Sequence, residues 1–337
     1  MYLGTDDAGK KVYKRVTTDT KSEFAYAAAI ARERGVPEAR GPVVTVGEAI
    51  DAYIASCATL SPTTLAGYRK IRRTMFPDLM NISLDSVSAD RLQKAVNAEM
   101  TRKTERRNNL SAKTIRNAYG LVAASLRYFG APSYNVKLPK EKPRFIELPE
   151  PAEVIAAVRG SDIELPCMLA IWLSLSMSEV RGLKYSSIRH GCIYIDQVIV
   201  DVDGKPVEKQ RAKVATRNRC LELPEMLLEL IRKTTDLEAY ERGEIQDGYL
   251  VPHAEYWIRR RLNKLLPGIT FHQLRHLNAS IMLQLNVPDK YAMERGGWST
   301  PNTMKRVYQH TFSAERRRVD AAIDSYFEDI LTQKTTN

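Results

Sequence analysis

Between residues 45 and about 130 apolar side chains return every three or four positions, the period of helices that bury one face. Thr45-Val46-Gly47-Glu48 opens the first helix with a capping box, and Val46, Ala49, Ile50, Tyr53 and Ile54 then gather on one side. Ser61-Pro62-Thr63-Thr64 starts a second with proline in its first turn. Asp85-Ser86-Val87-Ser88-Ala89-Asp90 leads into a third, and Ser111-Ala112-Lys113-Thr114 opens a fourth. Before this stretch the pattern alternates. Lys11-Val12-Tyr13-Lys14-Arg15-Val16-Thr17 reads as a half-exposed strand after the turn Asp6-Asp7-Ala8-Gly9. Thr20-Lys21-Ser22-Glu23 then caps an alanine-rich helix that Gly35 ends. Residues 1–42 thus predict a small sheet-plus-helix module, and 45–132 a helical domain.

Residues 133–147 close a segment from 131 with three prolines and four basic residues, a stiff linker composition. Residues 148–337 form a further domain. Helices are predicted over 153–159 and 166–175, and strands over 192–202 and 219–223, with the turn Asp203-Gly204-Lys205-Pro206 between the strands. The remainder to 331 reads as helix. The fold class is mainly α with small antiparallel sheets, in a multidomain chain.

A length of 337 residues suits two large domains, with the small module as a third. No apolar run approaches the roughly 20 residues of a spanning helix, and residues 1–7 lack a secretory layout, so a cytoplasmic protein without a membrane partner is expected. Cys57, Cys167, Cys192 and Cys220 form no CxxC pair and read as buried free thiols. Fifty-one basic against 40 acidic side chains leave +11, which points to a polyanionic partner such as nucleic acid. Arg102, Lys103, Arg106, Arg107, Lys113 and Arg116 face only Glu105 in their stretch, a basic run at helix ends that suits a phosphate backbone. Lys11, Lys14 and Arg15 give the amino-terminal strand a similar character.

Candidate chemistry lies in the last domain. In Thr270-Phe271-His272-Gln273-Leu274-Arg275-His276, His272 and Arg275 share a helix face, an imidazole beside a guanidinium as proton transfer next to a phosphate requires. Gly296-Gly297-Trp298 follows, and Tyr308 stands ten residues beyond Trp298. Together with Lys213 in Ala212-Lys213-Val214-Ala215-Thr216-Arg217-Asn218-Arg219, this series resembles the closing half of the tyrosine recombinases, the phage-type integrase family, and most closely integrases of Gram-positive phages and conjugative transposons. The likeness is specific from residue 170 onward and extends in outline over the whole chain, as an arm-binding module, a core-binding domain and a catalytic domain.

The resemblance implies a site-specific DNA recombinase of a mobile element. Tyr308 would attack a backbone phosphate to form a 3′-phosphotyrosyl link on the way to a Holliday junction. His272 would be the base, Lys213 the acid for the leaving 5′-oxygen, and Arg275 and Trp298 the phosphate donors. Neither metal nor other cofactor is implied, and no carboxylate cluster of a two-metal nuclease is evident. The partners implied are double-stranded attachment-site DNA, accessory DNA-bending or excision factors, and further copies of the chain. The copies would assemble into a synaptic tetramer through residues 313–331, where Val319, Ala322, Ile323, Tyr326, Phe327, Ile330 and Leu331 make one stripe behind Ser313. That stripe would otherwise pack on its own domain. One position departs from the family. In Leu175-Ser176-Met177-Ser178-Glu179-Val180-Arg181-Gly182-Leu183 the Ser-Glu and Gly-Leu pairs fix the register, and Ser176 stands where the first catalytic arginine belongs. Arg181 is turned roughly 140° away on a helix and is a poor substitute. A serine there fits a decayed copy or a deliberate replacement. The readings left open are a slow recombinase, a DNA-binding protein of the same lineage that does not cut, and a type IB topoisomerase-like enzyme.

Overall fold

The computed structural model describes residues 2–5, 11–13, 44–103, 109–141, 148–210, 219–300 and 320–328. The chain divides into two compact units, Met1–Pro143 and Arg144–Asn337. Among the described residues no helix is long and apolar enough to cross a membrane.

In the first unit β1 (Tyr2–Thr5) pairs antiparallel with β2 (Lys11–Tyr13), so the expected strand is one half of a hairpin. The turn between them and the alanine-rich helix lie outside the described residues. The four expected helices follow. They are α1 (Val46–Ser56), α2 (Pro62–Thr74), α4 (Ala89–Thr101) and α5 (Ala112–Tyr128), with a single turn, α3 (Pro77–Met80), between the second and third. Thr45, Ser61, Ser88 and Ser111 each accept a backbone N–H from three residues on, which satisfies donors that a helix start leaves without partners. Ile50, Phe76, Leu92, Ile115 and Leu126 make the core. One carboxylate sits in it. Glu99 accepts the N–H of left-handed Phe76 (2.6 Å) and pairs with Arg102 (2.7 Å).

Residues 131–138 form neither helix nor strand, but they do not hang free. Ala131, Tyr134, Val136 and Leu138 pack on this core, and Lys137 exchanges backbone bonds with the Gln93 side chain. The linker expected from residue 133 is therefore in part an edge of the helical unit.

The second unit is built around α7 (Glu164–Leu173), apolar on nearly every side and enclosed by α9 (Glu225–Thr234) and α12 (Phe271–Gln284). Around these lie α6 (Pro151–Val158), α8 (Met177–Gly182), α10 (Leu237–Glu241), α11 (Glu255–Leu265) and α13 (Asp289–Gly296). The long strand expected over 192–202 is two strands. Exposed Asp196 separates β4 (Cys192–Ile195) from β5 (Gln197–Val202). β4 lies between β3 (Ile188–Arg189) and β7 (Arg219–Glu222), whereas β5 turns back on β6 (Lys205–Gln210). Asp203 and Gly204 both have positive φ (50° and 78°), the turn that a two-residue Asp-Gly hairpin favours. The thiol expectation holds for Cys167 alone, which burial pushes up to about 12; Cys57 and Cys192 are part-exposed and Cys220 exposed.

Gly182 ends α8 against β5, where a Cβ would lie 2.5 Å from the Gln197 carbonyl oxygen and 2.7 Å from the Val198 Cα. Both obstacles are backbone, so neither can swing aside. Gly182→Ala is expected to lower the unfolding free energy by about 1–3 kcal/mol in urea titrations, the cost typical of overpacking.

Candidate active site

The site forms where α7 stops. Ser174 takes a left-handed conformation (φ 57°), which turns the chain sharply and leaves the last carbonyls of the helix without intrahelical partners. Three side chains from distant positions supply donors. Arg275 Nη1 donates to the Ser174 carbonyl (2.7 Å), Asn278 Nδ2 to that of Ile171 (2.7 Å), and Arg295 Nη2 to that of Trp172 (2.8 Å). Two of the three are cations at the negative end of a helix dipole.

Ser176 then begins α8 as its N-cap, and its backbone N–H donates to Glu179 (2.6 Å). Glu179 is completely buried, which is costly for a carboxylate unless its oxygens are engaged. They are. Arg219 Nη1 donates to Oε1 (2.7 Å) and Arg275 Nη1 to Oε2 (3.3 Å). Arg275 is held a third time, its Nη2 donating to the carbonyl of Gly296. Its guanidinium lies 4.9 Å from the centre of the Trp298 ring, within cation–π range. That contact needs glycine at 296, since a Cβ there would strike the indole, and the left-handed turn at Gly297 (φ 63°) brings the ring round.

His272 lies one turn before Arg275 on the same helix, with its edge open to solvent and its ring edge-to-face with His276 at 4.5 Å. Partial burial, and then the Arg275 charge, hold its imidazole below the ordinary histidine value. It is consequently neutral at neutral pH.

Of the residues expected to act, His272, Arg275 and Trp298 are thus brought to one place, and Ser176 borders them through Glu179. Lys213 and Tyr308 lie outside the described residues. Arg181 is buried, bonded to Asp201 (2.9 Å) and near Glu255 (3.8 Å), so its guanidinium is engaged by these carboxylates. Among the basic residues of the first unit, Lys103, Lys113 and Arg116 are exposed, but the guanidinium of Arg102 is spent on Glu99 and on the Thr74 carbonyl. Lys11 falls in β2, and Lys14, Arg15, Arg106 and Arg107 lie outside the described residues. Sequence reasoning missed Arg219, Arg295 and Asn278, and used Glu179 only to set a register.

Glu179→Ala would leave two buried guanidiniums without their shared anion. Removing one partner of a buried ion pair typically costs about 3–5 kcal/mol, and a loss of that size is expected in the unfolding free energy of the second unit. Denaturant unfolding followed by tryptophan fluorescence measures it, since Trp172, Trp257 and Trp298 all lie in that unit.

No protein-family model matches the chain. A curated integrase of Saccharopolyspora erythraea is 30% identical over 125 residues, which is 32% of this chain and 28% of that protein. The match therefore spans under a third of the relative's length. Solved structures are alike over far more of the chain. The Tn1549 transposon integrase in complex with transposon right-end DNA covers 83% of this chain and all of that one, with a TM-score of 0.62 at 13% identity. A lambda integrase tetramer bound to a Holliday junction covers 90% of this chain and 92% of that one, with a TM-score of 0.57 at 17% identity. The chain has the fold of these integrases, as its motifs led us to expect.

Proposed function

We propose that this chain is a site-specific DNA recombinase of the tyrosine class, acting on double-stranded attachment sites of a mobile element. The observation that carries the reading is the convergence of Arg275, Trp298 and His272 on one edge of the second unit, with Arg275 fixed by Glu179 and two carbonyls. An arginine so restrained is preorganised to meet a phosphate oxygen and loses little freedom on doing so. The phenolic oxygen of Tyr308 attacks the phosphorus and its proton passes to neutral His272. The bond to the 5′-oxygen breaks, and Lys213 protonates the leaving oxygen. The 3′-phosphotyrosyl link keeps the bond energy for rejoining. Lys103, Lys113 and Arg116 are exposed cations suited to the flanking phosphates.

Ser176 lowers the rate in this reading. It occupies the border of the Glu179 cluster with a side chain too short and uncharged to share the developing negative charge of the transition state. A second reading, a DNA-binding protein that does not cut, is favoured by this residue alone.

Assembly uses the tail. Residues 320–328 are helical, and Ile323, Tyr326 and Phe327 are 50%, 64% and 57% exposed, a stripe that the described residues of its own unit do not cover. A neighbouring copy supplies the cover in a synaptic tetramer, as lambda integrase forms a tetramer on a Holliday junction.

Losing one positioned donor to an oxyanion costs about 10²–10³ in rate, so Ser176→Arg is expected to raise covalent adduct formation on nicked suicide DNA by that factor. Adding Tyr308→Phe to it should abolish the adduct and leave DNA binding intact, whereas adducts persisting in the double variant would assign the nucleophile elsewhere. Cleavage by Ser176→Arg should fall only below about pH 6.5, because His272 stays neutral down to a value under that of free imidazole. Deleting residues 313–337 should preserve band shifts on half-sites and remove cooperativity on full sites; unaltered cooperativity would show that the stripe packs within its own chain.

A further inference from the structure

Arg219 opens β7, immediately after the segment that carries Lys213, and its side chain is 7% exposed. Burying a guanidinium is costly unless its donors are engaged, so such a residue is seldom incidental. Its donors reach two elements. Nη1 meets Glu179 (2.7 Å) and Nε donates to the carbonyl of Arg295 (2.9 Å). Nη2 is buried with no hydrogen-bond partner among the described residues.

Those two elements are also the ones that hold Arg275. Glu179 accepts from Arg275 through its other oxygen, and the carbonyl that receives Arg275 Nη2 belongs to Gly296, next in the chain to Arg295. The turn is pressed against the guanidinium as well, since a Cβ on Gly297 would lie 2.6 Å from Arg219 Nη1. Glu179 and the 295–297 turn come from separate helices, α8 and α13, and no hydrogen bond between them is needed while Arg219 spans the gap.

We propose that Arg219 is a positioning residue for Arg275: it joins Glu179 to the 295–297 turn and so fixes the guanidinium, and the Trp298 ring beside it, in the orientation that phosphate requires. For its catalytic consequence this rests on the recombinase reading. Among the described residues, the bonds of Arg219 go to Glu179 and the Arg295 carbonyl. Lysine in its place can bond Glu179 with its single ammonium but cannot present the two-pronged fork that also reaches the Arg295 carbonyl.

The direct test is nuclear magnetic resonance of the Arg275 guanidinium in the full chain, its signals assigned by their loss in Arg275→Lys. Held rotation about the Nε–Cζ bond gives the unaltered chain separate Nη resonances. In Arg219→Met they should broaden or coalesce, and in Arg219→Lys they should show intermediate broadening. In parallel, each change is placed in the Ser176→Arg chain and read on suicide DNA. A misplaced clamp lowers the first-order cleavage rate by about 10²-fold while half-site affinity is kept, and lysine restores part of it. Unchanged Arg275 resonances in Arg219→Met would overturn the proposal. Should that variant fail to fold, Arg219→Lys decides: resonances and cleavage rate both equal to the parent's would overturn it equally. Absence of adducts in Ser176→Arg alone would count against the recombinase reading and leave the resonances to judge Arg219.

Discussion

The second unit depends on one ion cluster, the buried carboxylate of Glu179 between Arg219 and Arg275. A charge in that position has little free energy to offer stability, because desolvation consumes most of the attraction. What it supplies is uniqueness. Three residues from α8, β7 and α12 can satisfy one another in few arrangements, and each wrong arrangement leaves a bare charge in a low-dielectric interior. Among the described residues two guanidiniums share this one carboxylate.

The end of α7 shows how a structural need and a chemical one are met by the same atoms. A helix that stops inside a protein exposes carbonyls that must find donors, and here Arg275, Asn278 and Arg295 provide them. The residue proposed to grip substrate is therefore first of all a helix cap. Its rigidity follows from that duty.

Local features were legible from the sequence, and features made by distant partners were not. Thr45, Ser61, Ser88 and Ser111 announce helix starts because a cap oxygen and the N–H that donates to it lie three residues apart. Asp196 was read as part of one long strand, because alternation alone cannot tell that β4 pairs with β7 while β5 pairs with β6. Glu179 registered only as a spacer, since its partners stand 40 and 96 residues away. Arg102 was counted with the phosphate-facing cations because a charge count along the chain does not reveal that Glu99 is buried beside it. His272, Arg275 and Trp298 were found through a motif whose spacing carries their geometry. Arg219 has no signature in the sequence, because its two acceptors stand 40 and 76 residues away.

On the proposed reading, Ser176 is where a working site and a folded one part company. Its backbone has the extended geometry of a helix N-cap (φ −78°, ψ 161°), a position where serine is among the preferred residues. The four residues Glu179, Val180, Arg181 and Gly182 that follow in α8 are buried and bound into their surroundings. The requirements of folding consequently weigh on nearly the whole helix and are met by serine at its N-cap. If the chain is the recombinase proposed, serine at this position leaves its shape intact, and a single substitution to arginine supplies the absent donor without disturbing the fold.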